Sequence, residues 1–128
     1  MVQLFAFLTR RSGTSREEFL DHWLNRHGPL IASTPELAQH IRRYEQHPRA
    51  AAGPESGTEH CDGVTVQWFD RLDDLWAFTA EGAYAELLAP DEAELLDQQR
   101  LVWVMTGEPT VVIGEGSGRS LGEALGDG

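Results

Sequence analysis

Two segments of this chain are apolar on both of their alternating faces, and that constrains the fold more than any other feature. Residues 2–9, VQLFAFLT, put Val2, Leu4, Ala6 and Leu8 on one face and Phe5 and Phe7 on the other. Residues 101–106, LVWVMT, repeat the pattern near the far end. Successive strand side chains point to opposite faces, so such strands must be covered twice. Residues 64–69, VTVQWF, form a third strand on β-branched and aromatic content. Residues 40–47, HIRRYEQH, read as a polar strand with Tyr44 and Gln46 on one face and Arg43, Glu45 and His47 on the other.

Helical patterns separate these strands. Ser15 with Glu18 three residues on is a capping box. Phe19, Leu20, Trp23, Leu24 and His27 then share one stripe at helical spacing, with His22 at its margin. Gly28-Pro29 is expected to end this helix, by a left-handed glycine exit and a missing amide. Leu72, Leu75 and Trp76, then Tyr84, Leu87 and Leu88, then Leu95 and Leu96 mark the second helical region. The order strand, helix, strand, strand, helices, strand is a ferredoxin-like split βαβ of the α+β class: a four-stranded antiparallel sheet with helices on one face. A second copy is the simplest cover for the helix-free face, so a homodimer with sheets face to face is expected. Residues 110–113 are expected to add an edge strand, and residues 114–128, with six glycines, to form a flexible tail after a domain spanning 1–113.

Composition narrows the function classes. A net charge of −11 disfavours nucleic acid, whose phosphates require a basic footprint. No apolar run approaches the roughly 20 residues needed to cross a bilayer, and no signal-peptide pattern precedes the first strand. A cytoplasmic protein without nucleic-acid or membrane partners is expected. The single cysteine, Cys61, excludes an internal disulfide. No metal pattern is present: His22 and His27 are five apart, on different faces of an α-helix, where zinc helices use four. Neither a phosphate-binding glycine loop nor a nucleophile elbow appears. No cofactor is expected.

Several stretches resemble the EthD family of dimeric α/β-barrel proteins: SREEFLDHWLNRHGPL at 15–30, RRYEQH at 42–47, CDGVTVQWFDRLDDL at 61–75 and DEAELLDQQRLVWVMTGEPTVVI at 91–113. The resemblance implies two ferredoxin-like chains forming a β-barrel, with each ligand pocket between a sheet and its own helices. It implies function loosely, since family members and related barrels span ether degradation, polyketide dehydration, cyclisation and decarboxylation, and cofactor-free oxygenation of phenols.

The candidate chemistry follows. His27 is either a general acid or base facing the pocket or a helix-end group on the last carbonyls. His47 is either a pocket group or part of a charged edge strand. Tyr44 and Gln46 would hold a developing oxyanion. Asp91, with Glu92, is a helix-start carboxylate or the orienting partner of a pocket histidine. Trp23, Trp68 and Trp103 suit either core packing or a flat ligand. The leading expectation is a metal- and cofactor-independent enzyme doing acid–base chemistry on a hydrophobic, aromatic or polyketide-like small molecule, with His27, His47 and Tyr44 catalytic and Trp23, Gln46, Trp68, Asp91 and Trp103 binding substrate. A cofactor-free oxidoreductase acting on a phenol and a non-catalytic binding protein are the alternatives.

Overall fold

In the computed structural model of the chain, which describes residues 1–58 and 60–115, four strands form one antiparallel sheet. They are β1 (Val2–Leu8), β2 (Arg43–Pro48), β3 (Gly63–Phe69) and β4 (Val102–Thr106), in the order β2-β3-β1-β4. This is the ferredoxin-like fold. The doubly apolar strand at the start, β1, is central, with β3 and β4 on its two sides. Leu4 pairs with Gln67 and Met105, and Ala6 with Thr65 and Trp103, so these side chains share the helix-covered face. Phe5, paired with Val66 and Val104, points to the open face.

The first crossover carries α1 (Arg16–His22), α2 (Gly28–Ala32) and α3 (Pro35–Ala38); the second carries α4 (Leu72–Ala80) and α5 (Ala89–Leu95). The expected capping box opens α1: the Glu18 amide donates to Ser15 Oγ at 3.1 Å, and the Ser15 amide donates to Glu18 Oε1. Gly28-Pro29, however, does not end the helix. Gly28 keeps right-handed helical angles, with φ −58°, and the chain runs on into α2. A π-turn at Trp23–His27 makes this possible, the Gly28 amide reaching back to the Trp23 carbonyl. Adding one residue to the turn accommodates the proline, which has no amide for an α-helical bond. A second π-turn, Tyr84–Leu88, precedes Pro90 in the same way, with the Ala89 amide on the Tyr84 carbonyl.

The helix-side core has two parts. Leu4, Ile31, Leu37, Phe69, Leu75, Phe78 and Leu88 form one, and Ala6, Leu8, Phe19, Trp23, Leu95 and Leu96 the other. Trp23 is wholly buried and stacked on Phe19 with ring centroids 5.4 Å apart. Gly63 of β3 lies directly beneath it: a Cβ there would stand 2.6 Å from the Trp23 ring. Neither ring nor strand can yield, so Gly63→Ala is expected to destabilise the fold by about 1–3 kcal/mol through overpacking. Urea unfolding checks this, and an unchanged midpoint would contradict the close contact.

Residues 110–113 form no strand, and Val112 and Ile113 lie out in solvent. The expected tail falls, from residue 116 onward, outside the described residues. Among the described residues, no helix is long and apolar enough to cross a membrane.

Candidate functional site

The π-turns place the chemistry. In an α-helix five residues make well over one turn, which separates His22 from His27. The extra residue of the Trp23–His27 turn makes their spacing equivalent to four, and the two imidazoles come to one side. Both meet Asp91 of α5: His22 Nε2 lies 2.7 Å from Asp91 Oδ1, and His27 Nδ1 lies 2.6 Å from Asp91 Oδ2. A carboxylate only accepts, so each imidazole donates. His27 therefore carries its hydrogen on Nδ1 and keeps the Nε2 lone pair. His22, read from sequence as marginal, is buried, while Leu24 of the expected stripe is exposed.

Burial lowers the His27 pKa below its ordinary value, a trend that the Asp91 hydrogen bond and charge oppose and that His22 reinforces. Burial alone pushes the Asp91 carboxyl up, but the bonds from His22 and His27 outweigh it and hold the carboxyl below its usual range. The result is a neutral, oriented imidazole backed by an ionised carboxylate.

His27 lines a cavity of about 250 Å³ between the sheet and the helices. Leu4, Ala6, Leu8, Ile31, Phe78, Leu88, Leu95 and Leu96 make most of its wall. Trp76 of α4 and Trp103 of β4 also line it, half exposed and packed edge-to-face at 6.2 Å. The polar groups are few: His27, Tyr44, Thr65, Gln67, Thr79, Tyr84 and Glu92. Burial pushes the Tyr44 hydroxyl up to about 12, against the pull of its bond to Thr65, so it is a donor at neutral pH. Burial likewise pushes the Glu92 carboxyl up, opposed by a hydrogen bond with Tyr84 and aided by the charge of Asp91. An apolar cavity with a small set of convergent polar groups and shifted titrations is the usual form of a small-molecule site.

The family model of the EthD domain matches residues 11–99. The chain belongs to the EthD family. No curated protein matches it significantly. Among solved structures it is similar to an ethyl tert-butyl ether d (ethd) family protein from Bacillus halodurans, at 17% identity over 85% of this chain and 99% of that one, with TM-score 0.62. A dimeric protein of unknown function and ferredoxin-like fold from Bacteroides fragilis gives 20% identity over 84% of this chain and 95% of that one, with TM-score 0.63. The hydroxynitrile lyase of Passiflora edulis gives 13% identity over 88% of this chain and 96% of that one, with TM-score 0.63. At these identities the likeness establishes the shared fold.

Within this EthD-family chain, His27, Tyr44 and Trp103 of the expected site come together on the cavity, with Asp91 directly behind His27. Trp23 packs in the core beside it. Gln46 faces the helices but donates from Nε2 to the Trp23 carbonyl at 2.8 Å, supporting the π-turn from below. Gly28 has no Cβ to obstruct it; one would stand 2.8 Å from the Gln46 amide oxygen. Close approach, not a left-handed exit, is what glycine provides there. His47 and Trp68 are elsewhere. Their strand parity turns them to the open face, where His47 Nε2 lies 2.8 Å from Glu45 Oε1 and the Arg43 guanidinium sits 5.5 Å above the Trp68 ring. The sequence reading missed His22, Tyr84 and Trp76 as site residues, and it gave Glu92 only as a helix-start or histidine-orienting carboxylate, not as a lining group of the cavity. The signal for three of them was a shared spacing: an aromatic stands six residues before a proline in Trp23/Pro29 and again in Tyr84/Pro90.

Proposed function

We propose that this EthD-family chain is a small acid–base enzyme that uses His27 to move a proton on an apolar carbonyl compound. One observation carries the reading: the cavity-lining imidazole has its Nδ1 bound to a half-buried carboxylate, which fixes its orientation and leaves Nε2 as a base. An acid–base pair with a positioned third group is the general pattern of proton-transfer sites. The Tyr44 hydroxyl supplies a neutral donor for the enolate oxygen that forms when an α-proton leaves. Imidazole provides the base itself, so the reading calls for no metal or cofactor. That this fold also holds a hydroxynitrile lyase supports lyase chemistry in it.

Size and lining narrow the substrate class. A cavity of about 150 Å³ takes a benzene, so about 250 Å³ accommodates one aromatic ring with a short chain, entering past Trp76 and Trp103. A single-ring aromatic ketone fits this better than a fused polycycle.

The same reading makes the chain a homodimer through the open face. Phe7, Val102 and Val104 are exposed there, the two valines at 60% and 48%. A contiguous apolar face of a sheet marks an interface, and the Bacteroides fragilis structure of the same fold is described as dimeric.

The test is α-proton exchange of benzylacetone in deuterium oxide, followed by NMR across pH. His27 works as the free base, and burial lowers its pKa, so the rate should stay level at neutral pH and decline only below the ordinary imidazole value of about 6.5. An acid limb centred above that value would count against His27. Oxygen uptake in place of exchange would point to the phenol-oxygenase alternative.

A further inference from the structure

Proton abstraction by His27 leaves Gln67, a deeply buried polar group of the cavity, without a task. Gln67 belongs to β3 and stands in register between Leu4 of β1 and Tyr44 of β2, and all three side chains line the cavity. The residue is only 7% exposed, and its Oε1 is buried with no hydrogen-bond partner among the described residues. Buried acceptors are nearly always satisfied, because an unpaired one gives up its hydration for nothing. Leu4 has no hydrogen to donate. An apolar side chain would close this stretch of wall without that cost, so the amide calls for a donor that arrives with the ligand.

The register indicates which donor that is. Side chains directly opposite in an antiparallel pair have Cβ atoms about 4.5–5.5 Å apart. The Gln67 acceptor and the Tyr44 donor therefore rise side by side from the cavity floor. Their complement on a ligand is a carbonyl oxygen with a hydroxyl on the neighbouring carbon.

We propose that Gln67 selects the substrate: its Oε1 accepts from a hydroxyl on the same carbon that loses a proton to His27, so the substrates are α-hydroxy ketones. The inference rests on the reading of His27 as the base and Tyr44 as the donor to the carbonyl oxygen. That carbon is then held by its substituents. Tyr44 binds the carbonyl beside it, Gln67 binds its hydroxyl, the apolar wall takes its aromatic arm, and its hydrogen is left for His27 Nε2. The hydroxyl is a handle here and does not leave. Only the Cα–H bond breaks, its proton going to Nε2 and its electron pair into the enolate, and return of the proton restores the ketone. A site built to hydrogen-bond a substrate hydroxyl rejects the analogue lacking it, because its own buried group is left unpaired.

Three ketones test this: benzylacetone, its derivative with a hydroxyl on the methylene next to the carbonyl, and the methyl ether of that derivative. Binding is measured by calorimetry, and exchange of the α-proton in deuterium oxide by NMR. The wild type is expected to bind the hydroxy ketone about tenfold or more tighter than either of the others. The parent ketone is smaller and the ether larger, and both lack the donor, so size cannot imitate that order. Gln67→Met, which keeps the length of the side chain and removes the acceptor, should erase the preference. Equal binding of the three by the wild type, binding of none, or a preference that survives in Gln67→Met overturns the assignment. The wild-type comparison decides even where the variant fails to fold. Exchange of all three ketones without a preference in binding overturns Gln67 alone and leaves the His27 base standing. Tighter binding of the hydroxy ketone, lost in Gln67→Met, with no exchange of any of the three overturns the His27 base and leaves Gln67 as the acceptor of the hydroxyl.

Discussion

His27→Gln should lower α-proton exchange of benzylacetone by about 10²–10⁴-fold, the range that a positioned acid–base group contributes. Asp91→Asn should come close to the same loss without touching the substrate. An ionised carboxylate accepts from both imidazoles at once, at 2.7 and 2.6 Å. An amide has one acceptor oxygen and a nitrogen that only donates. One of the two histidines must then turn a lone pair toward the amide nitrogen. Where that histidine is His27, its hydrogen moves to Nε2 and the base is gone; a wrong tautomer behind such a carboxylate-to-amide change costs up to about 10⁴ in kcat. The nitrogen NMR shifts of His27 supply an independent readout: Nδ1 protonated in the wild type, and that preference weakened in Asp91→Asn. Removing the carboxylate also removes the bond and charge that raise the His27 pKa, leaving burial to lower it further. Full activity in Asp91→Asn with an unchanged His27 tautomer would show the pair to be structural only.

This dyad was only half legible in the sequence, for a definite reason. Strand parity and apolar content are local properties, so β1, β3 and β4 could be read directly, as could the Ser15/Glu18 capping box. The ferredoxin-like order followed from them. The site depends instead on two helices that depart from 3.6 residues per turn. An α-helical wheel puts His22 and His27 on different faces and ends the first helix at Gly28-Pro29, and both readings fail at the π-turn. Glu92 read as a helix-start carboxylate because Pro90 looked like a beginning, whereas Pro90 follows a continuous turn of helix. What links Asp91 to His27 is tertiary: α5 packs against the first π-turn across a separation of 64 residues. No local pattern reports such a contact.

Val104→Arg should convert the protein from dimer to monomer. Val104 sits on β4 opposite Phe5, on the face the helices leave uncovered, and it is 48% exposed in the single chain. An arginine there is solvated in the monomer, so the fold should survive and the unfolding midpoint should change little. In a face-to-face dimer the same guanidinium loses water without a partner, at a cost of about 3–5 kcal/mol. In a twofold interface each substitution also enters twice. The dissociation constant should therefore rise by at least about two orders of magnitude. Light scattering should report a mass near twice the 14.2 kDa chain for the wild type and near 14.2 kDa for the variant; a monomeric wild type would end the argument. The outcome also decides how His47 is to be understood. It lies on that same face, bonded to Glu45 and turned away from the cavity that His27 lines. If Val104→Arg dissociates the dimer and leaves exchange at the His27 cavity unchanged, the two histidines serve different ends, His27 chemistry and His47 the rim of the interface. A parallel loss of exchange would instead mean that the cavity is shaped by the second copy, and that covering β4 from its open face is part of holding Trp103 at the mouth.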